Sequence, residues 1–461
     1  MNHQHQVSTP GPRRTPRAKA KWWTVGLAGV TGLALTTGVA AAPAAAAVGH
    51  TLTPDGWTSA EDHRERGKSE GEDRGKGKGK GKGKGKKDTA PNGTPVPCDA
   101  DSLIAAITLA NARDGAVLDL AKDCTYLLTA DIDDAGLPAI TAPITLNGGK
   151  STTIERAAAA DGFRILTVDA GGNLTLNKLK ITGGQTDGEG GGILVNPGGT
   201  LTTNHSSITR NITNVSGGGI ANNGTTRVNH STVERNTATS QGGGISSTGL
   251  LEVVTSHIDN NKSIPALGGG IYQAGGTVTI KGGSISGNQA EVAGGLFVSG
   301  GVGVVTGTRI TKNTVRSSGG GGLRSDAGAQ LTLRKVHLAD NASPVLGGGM
   351  FVSTGSFTVV EDSTVKNNNL TTNSPGGGIY NAGQTVLRRT TVIGNQAGQG
   401  GGILNEGTMD LFTTKVIKNI AVTDAGGILN IAGTVNLNTA TGTVVIKNRP
   451  NNCVGVPGCP G

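Results

Sequence analysis

Few side chains in this sequence stand where they could do chemistry together, and two histidines head the list. His205 and His230 each lie three residues before the apolar residue of an Ile/Val-x-x-Asn element. His257 lies one residue before the apolar residue of the next such element, and Glu234 and Asp259 lie one residue after theirs. Alternate residues of a strand share a face. On that rule all five point outward from one sheet over three neighbouring units. His205 and His230 would then stack at about 4.8 Å, the spacing of adjacent strands, close enough to share a metal ion through their ring nitrogens. Arg210 and Arg235 stack beside them. A plainer account is also open: related units repeat like residues, and all of these are solvated.

A second row is aromatic. Tyr272, Phe297, Phe351 and Tyr380 each follow directly after a Gly-Gly-apolar element. Aromatics are 2 % of the chain, so four at one register is a pattern. If the strand continues past the glycines they face outward, and a row of ring faces can hold glycan rings or a partner protein. If the backbone turns there, the rings tuck under a loop instead. A third group is cationic. Residues 75–87 read GKGKGKGKGKGKK, with Lys76, Lys78, Lys80, Lys82, Lys84, Lys86 and Lys87. Such a run buries nothing and is expected to be disordered. It suits contact with an anionic polymer, or service as a solvated spacer.

Catalytic constellations are harder to assemble. A hydrolase needs two carboxylates across the cleaved bond, and a lyase of the relevant kind needs an acidic calcium cluster with a basic residue. Acidic residues in the repetitive part mostly come one to a unit. NGGKST at 147–152 imitates a phosphate loop, but the first glycine of that motif would fall on Ile144. No cofactor is implied.

The elements that must position these residues are unusual. The 461 residues include 79 glycines. Basic residues Arg13, Arg14, Arg17, Lys19 and Lys21 precede an apolar run that ends at Ala45-x-Ala47, the pattern of an export signal over residues 1–47. An uncleaved anchor is the other reading of that run, and no second span follows. Residues 48–97 read as a linker. Residues 98–143 form an N-terminal cap: DADSLIAAITLANA is an amphipathic helix with Leu103, Ile107 and Ala110 on one side and Asp99 or Asp101 as cap. Four cysteines in an exported chain suggest two local disulfides, with Cys98 and Cys124 flanking one segment and Cys453 and Cys459 another.

From residue 144 to 448 the chain repeats. The Gly-Gly-apolar element returns from Ile193 to Ile428 and the Asn of Ile-x-x-Asn from Asn211 to Asn448, ten copies each, at steps of 24 to 29 residues for the first. Gly-Thr turns followed by alternating apolar residues fall between them. Units this small bury nothing alone and must stack. Three short strands per unit, parallel to those of the next, make a solenoid of roughly 10–13 coils, with glycine at the bends and asparagines stacked at one corner.

These elements, Gly-Gly-Gly-Ile and Ile-x-x-Asn, resemble the GGA[ILV] and FxxN repeats of the chlamydial polymorphic outer membrane proteins, and the chain is more broadly similar to pectate-lyase-like right-handed parallel β-helices. GLPAITAPITLNGG with FRILTVDAGGNLTLNKLKITGG resembles the first coils of secreted bacterial members. The resemblance spans about residues 98–461. It implies an all-β right-handed parallel β-helix, an N-terminal end capped by the 98–130 region, and a far end closed by Cys453–Cys459 in the 449–461 tail. The autotransporter barrel of the chlamydial proteins has no counterpart here.

Unit lengths that vary so little leave small room for cleft-forming loops. The expectation is an exported, monomeric, non-enzymatic protein at the cell surface or outside the cell. It would present a rigid face to a glycan or surface protein, with no specific nucleic-acid partner and no transmembrane segment once the signal is removed. A polysaccharide-active lyase or hydrolase is the alternative.

Overall fold

A computed structural model of the chain describes residues 93–460. The expected signal, most of the expected linker and the whole lysine run, Lys76 to Lys87, lie outside the described residues. The chain divides at Gly83/Lys84, and all that follows concerns the second unit.

The described chain winds as a right-handed parallel β-helix of about 13 turns. Each regular coil lays down four strands, not three. They belong to parallel sheets of 14, 13, 12 and 10 strands. A Gly-Gly-apolar strand such as Ile271–Ala274 starts the coil, a five-residue strand such as Thr277–Lys281 follows, then a three-residue strand such as Ser284–Ser286, then a short strand such as Gln289–Val292. The fourth strand escapes sequence reading because in several coils it is two residues long, with one inward side chain, Thr213, Ala238 or Val315. A period of two cannot show in two residues.

Inward residues are the ones the repeats predict. Ile193, Ile220, Ile245, Ile271, Leu296, Leu323, Met350, Ile379, Ile403 and Ile428 are fully buried in one column, and they share a core with the column of Ile208, Val233, Ile258 and their successors from the third strand. At about 25 cal/mol per Å² of apolar surface removed from water, such columns provide the driving force for coil stacking.

The asparagine corner is a continuous hydrogen-bonded ladder. Asn211 donates from Nδ2 to Oδ1 of Asn236, Asn236 to Asn261, Asn261 to Asn288 and Asn288 to Asn313, each at 3.0 Å. The chain of bonds continues through Asn341, Asn368, Asn395 and Asn419 to Asn448. Each Oδ1 also accepts the backbone N–H of the asparagine below it, as Asn313 does for Asn288 at 3.0 Å. The Gly-Gly-apolar motif is the other half of this corner. A Cβ on Gly295 would lie 2.5 Å from the Gly322 carbonyl oxygen and 2.9 Å from Nδ2 of Asn313, so any larger residue would displace the ladder. The two repeated motifs are therefore one packing unit, met from opposite sides of the coil.

Both ends are closed. The helix Ala100–Ala112 buries Leu103, Ile107 and Ala110 and is capped by Asp99, whose carboxylate accepts the Ser102 amide at 2.8 Å. Strand pairing starts inside the stretches read as linker and cap: Thr94–Val96 pairs with Leu118–Leu120, and Ala116–Asp119 with Ile144–Asn147. Both disulfides form as expected, Cys98–Cys124 and Cys453–Cys459. At the far end Cys453 and Val454 add one more strand beside Ile428 and Leu429.

Candidate binding surface

The long-strand sheet presents the broadest outer face. Its five-residue strands stay in strict register, so outward residues form columns. One column reads Leu250, Thr277, Val302, Gln330, Phe357, Gln384. Leu250, Val302 and Phe357 in it are 42 %, 44 % and 39 % exposed. The next column places half-buried Val304, Val359 and Val386 beside them. Two small ion-pair ladders flank the patch. Glu252 is reached by Arg227 at 3.6 Å and Lys281 at 3.4 Å, and Glu361 by Arg334 at 2.9 Å and Arg388 at 3.6 Å. Exposed pairs of this kind stabilise by at most about 1 kcal/mol each, and these two sit at the margins of the apolar patch.

Toward the N-terminal coils the same face becomes polar. A second asparagine ladder runs along it: Asn147 donates to Asp119 at 2.9 Å, Asn177 to Asn147 at 2.8 Å, Asn204 to Asn177 at 2.9 Å and Asn229 to Asn204 at 3.1 Å. Each amide uses one of its two N–H groups in the ladder. A groove of about 330 Å³ lies beside it, lined by Asn147, Gly148, Asn177, Lys178, Asn204 and His205.

His205 and His230 stack as expected, with ring centroids 5.1 Å apart and planes 25° from parallel. Their placement differs from the expectation. They do not point out from a strand. Both occupy left-handed turns between the second and third strands, at φ +50° and +46°. Counting alternate residues back from Ile208 crosses a bend, where the rule fails. Arg210 and Arg235 likewise occupy left-handed turns, at φ +56° and +54°. Among the described residues no group of three His, Cys, Asp or Glu side chains is arranged to hold a metal ion.

His257, Glu234 and Asp259 do lie in strands of the third sheet. His257 Nδ1 meets Ser284 Oγ at 2.9 Å, and that hydroxyl also reaches Asp259 Oδ1 at 3.2 Å. Burial pushes the Asp259 carboxyl above its ordinary range, opposed by the Ser284 hydrogen bond and the charge of His257. Glu234 pairs with Arg235 at 3.8 Å. The five residues thus split into a stacked pair at a turn and a small polar network one strand away.

The aromatic row requires a correction. Tyr272, Phe297, Phe351 and Tyr380 share one register, as expected, but they are only 8 %, 5 %, 9 % and 7 % exposed. The loops that lead into the glycine motif fold over them. Leu267 and Ala293 pack on Tyr272 and Phe297, and Leu346 and Ala425 belong to the cluster of Phe351 and Tyr380. The row forms two smaller hydrophobic clusters outside the sheet, one around Tyr272 and Phe297 and one around Phe351 and Tyr380. Arg324 fills the place of an aromatic in the middle of the row. Its guanidinium lies 4.2 Å from the Phe351 ring centroid and 5.8 Å from that of Phe297, with Asp326 at 2.7 Å. Tyr380 donates to Glu406 at 2.5 Å. Burial, then that bond and charge, push its phenol above the usual tyrosine range.

Three features went unread in the sequence. One is the outer asparagine ladder, whose members follow the alternating strand rather than Ile-x-x-Asn. Another is an inner ladder near the C-terminus, Asn381 to Asn405 at 2.7 Å and Asn405 to Asn430 at 2.8 Å; the recurrence of IYN, ILN, ILN was its signal. The third is the exposed apolar column on the long-strand sheet, legible only once register between coils is known.

Residues 245–421 match the model of the right-handed β-helix region family. No curated protein matches the chain. Among solved structures the chain is similar to the A-module of the mannuronan C-5 epimerase AlgE6 of Azotobacter vinelandii, at 14 % identity over 74 % of this chain and 96 % of that one, with a TM-score of 0.38. It is also similar to PfbA, a surface adhesin of Streptococcus pneumoniae, at 11 % identity over 78 % and 93 % of the two chains, TM-score 0.29. A third likeness is to the tailspike protein of the E. coli bacteriophage HK620, at 9 % identity over 73 % and 76 %, TM-score 0.26. Strand order, register and the family match over its central coils together make this chain a right-handed parallel β-helix protein.

Proposed function

We propose that this is an exported, non-enzymatic protein that uses the outer face of its long-strand sheet to hold a glycan or surface protein. The observation that carries the reading is the column Leu250–Val302–Phe357. Three large apolar side chains are held about 40 % exposed, in alternate coils, by a backbone with no freedom to withdraw them. Exposed apolar patches with polar rims are the usual mark of an interaction surface. The polar, amide-lined groove beside His205 extends the same face. Two carboxylates on this face, Glu252 and Glu361, are each engaged by two cations, which suits a structural role better than acid–base work. The lysine run, Lys76 to Lys87, would add electrostatic hold on an anionic surface.

The test is binding of the labelled full chain to a glycan array and to intact cell surfaces, with Val302→Asp/Phe357→Asp as the variant. Wild-type binding should fall at least tenfold in the variant. Equal binding by both chains refutes the assigned face, and turnover of a uronic-acid polymer by the wild type refutes the non-enzymatic reading.

A further inference from the structure

The last coils carry a groove of about 520 Å³ lined by Lys418, Ile420, Lys447, Asn448 and Arg449, on a corner away from the long-strand sheet. We propose that it is a binding site for a phosphate ester, held by Lys418, Lys447 and Arg449.

The backbone brings the three cations together. Lys418 and Lys447 occupy the same left-handed turn of successive coils, at φ +55° and +59°, each immediately before an asparagine of the buried ladder. Strand spacing sets their backbones about 4.8 Å apart. Ile420 and Arg449 flank the ladder on its other side and are themselves paired across the two coils. Asn419 and Asn448 point inward between these two rows, so the rows form walls and Asn448 forms the floor. The walls cannot part without breaking the ladder, because Asn419 donates to Asn448 Oδ1 at 3.0 Å.

Charge is the second observation. Among the described residues none of the three cations is paired with a carboxylate; the ion pairs there lie elsewhere. The other exposed arginines of the late coils are engaged, Arg388 with Glu361 and Arg389 with Asp362 at 2.6 Å. Three uncompensated positive charges around one groove call for an anion of more than one charge with acceptors on several sides. A phosphate offers that, and the guanidinium fork of Arg449 suits it. A carboxylate offers two coplanar oxygens and one charge. Ile420, 44 % exposed, gives the groove one apolar wall, against which the carbon skeleton of an ester can rest.

The same left-handed position is basic in three other coils, at Arg210, Arg235 and Lys312, and is held by Asn260 and Asn367 in two more, residues that favour this conformation where lysine does not; only in the last coils does Arg449 face two such lysines across the ladder. Those asparagines also supply the variant. Lys418→Asn/Lys447→Asn removes two charges while placing at each turn a residue the fold already uses there. Lys312→Asn/Lys335→Asn, at two other left-handed turns, removes equal charge away from the groove and leaves the N-terminal lysine run untouched. Calorimetric titration of the full chain with glycerol 3-phosphate, inorganic phosphate and glucuronate, at constant ionic strength, reads the site. One saturable glycerol phosphate site is expected in the wild type and in the Lys312/Lys335 control, weakened at least tenfold in Lys418→Asn/Lys447→Asn. Inorganic phosphate should bind more weakly than the ester because it cannot use Ile420. Absence of saturable binding, equal loss in both double variants, or tighter binding of glucuronate than of phosphate overturns the proposal. None of these results bears on the long-strand sheet, which the charge variants leave intact.

Discussion

Replacing Asn313 with alanine removes a middle rung of the buried ladder, and the structure sets the size of the effect. The Asn313 side chain donates to Asn341 Oδ1 at 3.0 Å and to the Ile285 carbonyl at 2.9 Å. Its Oδ1 accepts both the backbone N–H and Nδ2 of Asn288, each at 3.0 Å. In Asn313→Ala the Asn288 N–H and one Asn288 side-chain N–H lose their only acceptor in a site with no exposure to solvent. A buried donor left unsatisfied costs about 1–3 kcal/mol, so the two orphaned here are expected to destabilise the chain by about 2–6 kcal/mol. Asn204→Ala, in the half-buried outer ladder, exposes its partners to water and should cost under about 1 kcal/mol. Urea unfolding of the two variants compares the costs directly. Amide exchange locates them: peptides covering Ser284–Val292 should exchange faster in Asn313→Ala, while those around Asn395, three coils on, keep their protection. A loss below about 1 kcal/mol, or unchanged exchange at Asn288, would show that the ladder decorates the stacking rather than holding it.

Gly295→Ala should be as damaging as the loss of its asparagine, by about 3 kcal/mol in urea unfolding, because the new Cβ meets the Gly322 carbonyl at 2.5 Å and neither partner can yield. Arg324→Ala should destabilise by about 1–2 kcal/mol through loss of its stacking between Phe297 and Phe351, and Arg324→Lys should restore little of it, since an ammonium lacks the planar face; thermal unfolding of the three chains decides. Asp259 holds its proton more tightly folded than unfolded, so its contribution to stability is fully present below the ordinary aspartate range and is lost as pH rises through the raised folded value. Asp259→Asn should therefore flatten the fall of the urea midpoint with pH just above that ordinary range, and an unchanged slope would refute the assignment.

Much of this architecture can be read from spacing. Ile271 and Ile285 declare themselves inward because their motifs recur at one period, and a period is a statement about stacking. The cap helix was legible for an ordinary reason, since Leu103, Ile107 and Ala110 mark a helical face. Legibility ended where the chain bends. His205 shows it, since counting alternate residues holds along a strand and fails across a turn. Tyr272 does point away from the main core, but whether a loop covers it depends on residues 265–268, whose path no pattern encodes. The exposed column of Leu250, Val302 and Phe357 was hidden for the opposite reason. Its members lie in separate coils, alternate with Thr277 and Gln330, and become neighbours only through registers such as Thr277↔Val302.

The asparagine ladder points one way. Every rung passes its amide hydrogen toward the C-terminal end and receives one from the coil before, so each coil offers its neighbours the same plug and socket. Length in this molecule is therefore quantised. A segment cut from one ladder asparagine to the next can be duplicated or excised as a unit, and the new junction is chemically the same as the old. A single inserted residue has no such cover, since it turns an inward isoleucine outward and takes its asparagine off the line. A gene that carries this repeat can lengthen or shorten its product in steps of one coil, from 24 to 29 residues, while the two caps stay as they are.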